Sequence, residues 1–282
     1  MTIIADSGST NTQWCLLQND KIINEICTEG INPYYQTEVE IAEIVETRIA
    51  TLFGKSADAV YFYGAGCAFS EKKRIVANAI RASYPQARIE IKSDLLAAAR
   101  GLLGCESGIA CILGTGSNSC VYNGREIIQN VSPLGYILGD EGSGAALGKK
   151  LIGDLLKNQL PQDLKNCFFE KYKLTPADIL DSVYKKPFPN RFLAKFSPFI
   201  LENIQEQKMQ HLVRTSFEDF ICRNVHQYDY RKYRVVFVGS IAYYFREILE
   251  EVAAELGISV AAIEISPMQG LIEYHLSEPR FW

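Results

Sequence analysis

The sequence predicts two α/β domains with a cleft between them, the second carrying a helical insertion. Strands and helices alternate along the chain, which implies largely parallel sheets covered by helices. A hairpin turn rich in Gly, Ser and Thr opens the chain at Asp6–Thr12, and a turn of the same character recurs at Gly114–Asn118. Residues 160–230 read as helices punctuated by Pro161, Pro176, Pro187, Pro189 and Pro198.

The first domain begins with an apolar strand, TIIA, then the turn, then the strand-like QWCLLQ and KIINEIC separated by Asn19-Asp20. Ile41, Ile44, Val45, Ile49 and Leu52 form a helical stripe over 36–52. AVYFY, at 59–63, is a short strand ending at Gly64-Ala65-Gly66, and a helix is expected at about 69–84. The strand ARIEI then leads into a helix from Asp94 to Leu103. The pattern restarts with strands at 108–113, 119–123 and 125–131, so a weak duplication is expected with its boundary near 104. That gives domains of 1–104 and 105–282. A Gly-rich segment, 135–148, enters a helix. The buried-type strand 235–238 runs into Gly239-Ser240 and a helix with Ile241, Phe245, Ile248, Leu249, Val252 and Leu256 at helical spacing. A strand at 258–265 and a helix from about 267 complete the pattern.

With 48% hydrophobic and 22% charged residues the chain has enough apolar material for sizeable cores. A net charge of −4 predicts no general attraction to nucleic acid or acidic membranes. The stretch YDYRKYR at 228–234 is too short for a nucleic-acid footprint and reads as a solvated lead-in to the next strand. The N-terminus lacks the charged and apolar regions of a secretory signal, and no run reaches 18 apolar residues. A cytoplasmic protein with no membrane partner is expected. Eight cysteines without a CxxC pair read as buried reduced thiols, and His211, His226 and His275 lack metal-ligand spacing, so no zinc is expected.

Four segments have the composition for phosphate chemistry. Asp6 ends a buried strand and is followed by Ser7, Gly8, Ser9, Thr10 and Thr12. A carboxylate suits Mg²⁺, while turn N–H groups and hydroxyls suit phosphate; an ordinary hairpin turn is the alternative. Gly114, Thr115, Gly116, Ser117 and Asn118 repeat that character, and two such turns facing each other would clamp a polyphosphate. Asp140 and Glu141 lie between glycines at a helix start, where an N-cap is the plainer reading. Gly239-Ser240 would let a nucleotide approach the backbone closely. No Walker P-loop or dinucleotide fingerprint occurs. Asp94, at a strand end where a helix begins, suits a general base, although an N-cap role competes and Ser93 would serve that purpose instead.

DSGST at 6–10, LGTGSNS at 113–119, GDEGSG at 139–144 and VGS at 238–240 resemble, in order and spacing, the phosphate and adenosine motifs of the actin, heat-shock chaperone and sugar kinase superfamily. The pattern is most similar to the N-acetylglucosamine kinases and the related BadF/BadG/BcrA/BcrD-type ATPases, over nearly the whole chain. The resemblance implies two actin-like (ribonuclease H-like) domains that use ATP and Mg²⁺ to phosphorylate a hydroxyl of an N-acetylated amino sugar, most simply the 6-hydroxyl of N-acetylglucosamine. A homodimer is also expected. Asp6 would place Mg²⁺ through water; Gly8, Ser9, Thr10 and Thr12 would contact phosphates from one side, and Gly114, Thr115, Gly116 and Ser117 from the other. Gly239 and Ser240 would lie near the adenosine. Asn32, in GINPYY, Gly64, Ala65, Gly66, Asn118, Gly135 and Asp140 would surround the sugar, and Asp94, in IKSDLLAAA, would be the base.

The resemblance departs at one place. Ser132-Pro133-Leu134-Gly135 replaces the family's GGWG-like run, which opens the acceptor to other amino sugars such as glucosamine or N-acetylmuramic acid. Two other readings compete. A dehydratase-activating ATPase would share an iron–sulfur cluster across a dimer, for which Cys105 and Cys111 are the nearest cysteine pair. A non-catalytic sugar or nucleotide sensor would need less than this full set of motifs.

Overall fold

The computed structural model describes residues 1–277. They form two compact units, one of residues 1–106, 122–127 and 266–277, the other of residues 107–121 and 128–265.

The first sheet contains β1 (Thr2–Ser7), β2 (Asn11–Gln18), β3 (Lys21–Glu29), β4 (Ala59–Gly64) and β5 (Arg88–Ser93), in the order β3-β2-β1-β4-β5. β1 is antiparallel to β2 and parallel to β4, which is parallel to β5. Asn19 and Asp20 both take positive φ, 49° and 63°, the tight hairpin geometry that these residue types tolerate. Strand alternation divides the core in two. Ile3, Ala5, Trp14 and Phe62 face one layer of helices through Ile41, Val45, Ile49, Val76 and Ile80. Ile4, Cys15, Leu17 and Tyr63 face Ala97, Met268, Leu271 and Ile272. Trp14 Nε1 donates to Thr28 Oγ1 at 3.0 Å, so the buried indole leaves no donor unpaired.

The second sheet contains β6 (Ser107–Leu113), β7 (Ser117–Asn123), β8 (Ile127–Val131), β9 (Arg234–Val238) and β10 (Val260–Glu264), in the order β10-β9-β6-β7-β8. Each sheet thus orders its strands third, second, first, fourth, fifth along the chain. The helices between β8 and β9 bury Leu147, Leu151, Phe168, Phe196, Phe199, Phe217 and Phe220 in a core shared with Ile109, Cys111 and Phe237 of the sheet.

Several elements differ from the sequence expectation. The last helix, Met268–Ser277, packs in the first unit instead of ending the second. The apolar face made by Ile4, Leu17 and Tyr63 requires cover beyond the helix Asp94–Leu103. The helix Glu38–Ile44 continues as a π-helical turn, Val45–Ala50, and this wider turn carries Phe53 inward while Leu52 is left exposed. Tyr228 is buried: its hydroxyl donates to Ser119 O at 3.0 Å and accepts from Val131 N at 2.8 Å, which removes it from the solvated stretch expected there. Four cysteines are buried as expected (15, 67, 111 and 120), but Cys27, Cys105, Cys167 and Cys222 are exposed. Among the described residues no helix is long and apolar enough to cross a membrane.

Two glycines on crossing helices set how closely the last helix approaches. A Cβ on Gly270 would lie 1.7 Å from Gly101 O, whereas one on Gly153, inside the helix Gly144–Leu156, would meet nothing within 4 Å. Gly270→Ala is therefore expected to destabilise the fold by about 1–3 kcal/mol, the usual cost of overpacking. Gly153→Ala is expected to stabilise it by about 0.5–1 kcal/mol, through helix propensity alone. Urea unfolding of both variants checks the pair.

Candidate functional site

In the first unit three parallel strands end in one row. Ser7 pairs with Gly64, and Gly64 with Ser93. Asp6, the loop Gly64–Gly66 and Asp94 consequently project from the carboxyl ends of adjacent strands, the place where open α/β sheets bind ligands.

The turn after β1 is closed by Gly8 N donating to Asn11 O at 3.0 Å. Gly8 and Thr10 are exposed and Ser9 is half-buried, so this tip can meet a ligand. Thr12 behaves differently. It is fully buried, lies 2.7 Å from Ser7 Oγ and donates to Glu29 O at 3.0 Å. Its hydroxyl supports the turn from within, which corrects the expectation that it reaches phosphate. Ser7 and Gly30 were not anticipated as supports. Ser7 Oγ accepts from Ile31 N at 2.9 Å and donates to Ile31 O at 3.1 Å, fixing the segment that carries Asn32. Gly30 lies so close to the turn that a Cβ would be 2.6 Å from Gly8 O.

Asn32 is buried and its Oδ1 accepts from Tyr34 N at 3.0 Å. It sits directly against the loop after β4: a Cβ on Gly66, where φ is +79°, would be 2.5 Å from Asn32 Oδ1. Ala65 N donates to Ser7 O at 2.8 Å, tying this loop to β1.

At the end of β5, Ser93 caps the helix, its hydroxyl accepting from Leu96 N at 3.3 Å. The cap role is filled by the serine, and Asp94 Oδ1 accepts the adjacent Leu95 N–H at 2.9 Å. Both carboxyls of this row are displaced from their ordinary range. Burial, and then the negative charge of Asp94, push Asp6 up to about 7. Burial pushes Asp94 up to about 6, against the pull of its backbone hydrogen bonds.

In the second unit the other three motif segments converge through backbone contacts. Gly144 N donates to Gly114 O at 2.8 Å and Ala145 N to Thr115 O at 3.0 Å, joining the GDEGSG segment to the turn between β6 and β7. Gly239, at φ +118°, lies against the same turn; a Cβ there would be 2.5 Å from Leu113 O. Only glycine permits that approach without backbone movement. Asp140 is buried, accepts from Ser117 N at 3.2 Å and faces Gly116. Its carboxyl is raised to about 6 by burial, against the Ser117 N–H bond that favours its charged form. The loop that precedes it is held by Asp140 N donating to Pro133 O at 3.0 Å and Lys149 Nζ donating to Tyr136 O at 2.9 Å. Thr115 and Gly116 are half-buried, Ser117 is buried and Ser240 is exposed. Asn118 Oδ1 accepts from Ser119 N and from Asn130 Nδ2, both at 2.9 Å. Gly135, at φ +76°, opens the short exposed helix Gly135–Leu138 that precedes Asp140.

Paired sheets with this strand order, helices between, and glycine turns at the strand ends define the two-domain actin-like ATPase fold. Comparison with known proteins narrows the class. A candidate N-acetylglucosamine kinase of Porphyromonas gingivalis is 48% identical, with 98% of each chain covered and a TM-score of 0.93. The chain belongs to the N-acetylglucosamine kinase/BadF-BadG-BcrA-BcrD ATPase family. A second solved candidate kinase of that name, from Chromobacterium violaceum, shares the fold at 20% identity, with 97% of this chain and 98% of that one covered and a TM-score of 0.75. The N-acetylmuramic acid/N-acetylglucosamine kinase of Clostridium acetobutylicum is 28% identical over 160 residues, 54% of this chain and 52% of that protein. The match thus spans about half the length of this curated relative. No protein-family model matches the chain.

The raised carboxyls carry a stability signature. An acid whose folded pKa exceeds its unfolded value binds protons more tightly when folded, so stability is lost as pH rises from about 4, the ordinary carboxyl value, through about 6 for Asp94 and about 7 for Asp6. Asp6→Asn and Asp94→Asn, which remove the buried charge, are expected to raise the urea midpoint of the nucleotide-free protein at pH 8 and to leave it nearly unchanged at pH 4. A lower midpoint at pH 8 in both variants would contradict this assignment.

Proposed function

We propose that the protein transfers the γ-phosphoryl group of ATP to a hydroxyl of an N-acetylated amino sugar, in the first instance the 6-hydroxyl of N-acetylglucosamine. The observation that carries this reading is Asp94, a carboxyl raised to about 6 at the end of β5 whose helix is already capped by Ser93. The kinase names of the relatives support the same reading.

Phosphoryl transfer passes through a loose transition state, so positioning and charge neutralisation matter more than a strong base. Ser9 and Thr10 offer N–H and hydroxyl donors to the phosphates, as do Thr115 and Gly116, while the N–H groups of Gly8 and Gly114 close their turns onto Asn11 O at 3.0 Å and Gly116 O at 2.9 Å. Gly239 and Ser240 take the adenosine side. Asn32 and Gly64–Gly66 hold the sugar. Asp94 accepts the hydroxyl proton as the oxygen becomes a nucleophile, and the bond to the leaving ADP oxygen breaks in the same displacement. Asp140 positions the Gly116–Ser117 turn.

A divalent cation fits the first unit. Asp6 is pushed to about 7 partly by the Asp94 charge, and a carboxylate with hydroxyl neighbours is a hard oxygen donor set. Bound Mg²⁺ would neutralise phosphate charge, with Asp6 holding it. The dehydratase-activating alternative is weakened by Cys111, which is fully buried within β6 and so is poorly placed to share a cluster with another subunit.

A coupled ADP-release assay across amino sugars tests the proposal. Turnover is expected with at least one N-acetylated hexosamine, and Asp94→Asn is expected to lower kcat by about 10²–10⁴-fold, the usual contribution of a positioned base. With the wild type, kcat/KM should fall as pH drops through about 6, as Asp94 becomes protonated. Equal rates in wild type and Asp94→Asn would remove the base role.

A further inference from the structure

We propose that Asn130, on β8, is a positioning residue: it fixes the side-chain amide of Asn118 so that Asn118 meets the bound substrates only as a hydrogen-bond donor. The claim rests on the reading of the turn between β6 and β7 as part of the phosphoryl-transfer site.

Backbone partners settle how both amides are turned. Asn118 Oδ1 accepts from Ser119 N at 2.9 Å, and only the oxygen of an amide can take a backbone N–H. Asn130 Nδ2 donates to two backbone carbonyls, Ser119 O at 2.7 Å and Val131 O at 3.0 Å, and only the nitrogen can do that. So oriented, Asn130 Nδ2 also donates to Asn118 Oδ1 at 2.9 Å. The carbonyl end of Asn118 therefore carries two N–H donors, and a flipped amide would set its own N–H groups against both. The Asn118 Nδ2 group keeps two donors of its own, and among the described residues no acceptor meets them.

The placement of this free donor pair follows from the strand. Asn118 is half-buried between Ser117 and Ser119, which are buried. Ser117 N donates to Asp140 at 3.2 Å, so Asn118 stands one residue beyond the braced turn. Asn130 is exposed and water would satisfy it, yet its nitrogen is spent on three protein acceptors. Tyr228 clasps the same strand ends, donating to Ser119 O at 3.0 Å and accepting from Val131 N at 2.8 Å. Of the two, Asn130 is the one bonded to the Asn118 side chain. An amide whose oxygen is already taken suits a ligand atom that accepts, either a sugar hydroxyl oxygen or a phosphoryl oxygen.

The test is a double-mutant cycle read by calorimetry, with N-acetylglucosamine and with a non-hydrolysable ATP analogue plus Mg²⁺ as the two ligands. Asn130→Ala is expected to weaken one ligand by about three- to tenfold, the loss of one neutral hydrogen bond, and to leave the other unchanged. The ligand affected identifies the acceptor oxygen, sugar or phosphoryl. In an Asn118→Ala background Asn130→Ala should add nothing, because its effect runs through Asn118. Asn118→Asp keeps the inward oxygen and turns a second oxygen outward, so it should bind that ligand no better than Asn118→Ala. Tyr228→Phe loosens the same clasp without removing a bond to Asn118, and should leave both affinities unchanged. Affinities unmoved by Asn130→Ala, an equal loss in both backgrounds, the same loss in Tyr228→Phe, or full affinity in Asn118→Asp overturns the proposal. Because the cycle reads binding, a wild type that binds both ligands but phosphorylates no amino sugar overturns the kinase reading alone. A wild type that binds neither ligand overturns both.

Discussion

Asp6 and Asp94 are held at the ends of the two parallel strands that flank β4, and each is driven toward its neutral form by burial. Asp6 also feels the Asp94 charge. Two carboxylates kept near each other in this way represent free energy withheld from stability, a pattern concentrated where a cation or a proton is to be received. The surroundings of the row serve to maintain it. Ser7 fixes the Ile31 backbone, Thr12 supports the turn from beneath, Ser93 relieves Asp94 of capping, and Ala65 N ties the β4 loop to β1.

The second unit solves a different problem with the same strand order. Its motifs carry little charge and consist mainly of backbone brought to close range. Gly239 against Leu113 O, Gly144 against Gly114 O and Asp140 against Gly116 and Ser117 together stiffen one turn from three directions. A turn so braced keeps its N–H groups directed at a fixed place, which is what an anion requires of a site that cannot reorganise cheaply. The negative charge of Asp140 near such a turn is tolerated because the Ser117 N–H pairs with it, while burial still raises the carboxyl to about 6.

Much of this was legible in the sequence, because glycine, hydroxyl and carboxyl residues at strand ends announce turns with special backbone demands. The hairpin motifs, their repetition, the helical insertion and the position of Asp94 all follow from periodicity and from turn chemistry. Other features depend on three-dimensional neighbours that no local pattern encodes. Thr12 looks like its neighbours Ser9 and Thr10, yet strand alternation turns it inward. Leu52 fits a 3.6-residue stripe, but a π-helical turn shifts the buried position to Phe53. The helix Met268–Ser277 is ordinary in sequence; only Gly270, packed on Gly101, marks the partner it chose. Asn130 is an ordinary polar residue on an edge strand, and it gives no signal until the fold brings its amide to Asn118.

The most direct test of the account is a carbon-detected NMR titration of the aspartate carboxyls in the nucleotide-free protein, assigned with the two asparagine variants. The account predicts midpoints near 7 for Asp6 and near 6 for Asp94, with the Asp6 midpoint drawn downward when Mg²⁺ and a non-hydrolysable ATP analogue are added. Ordinary midpoints near 4 for both groups, unmoved by the metal and nucleotide, would contradict it.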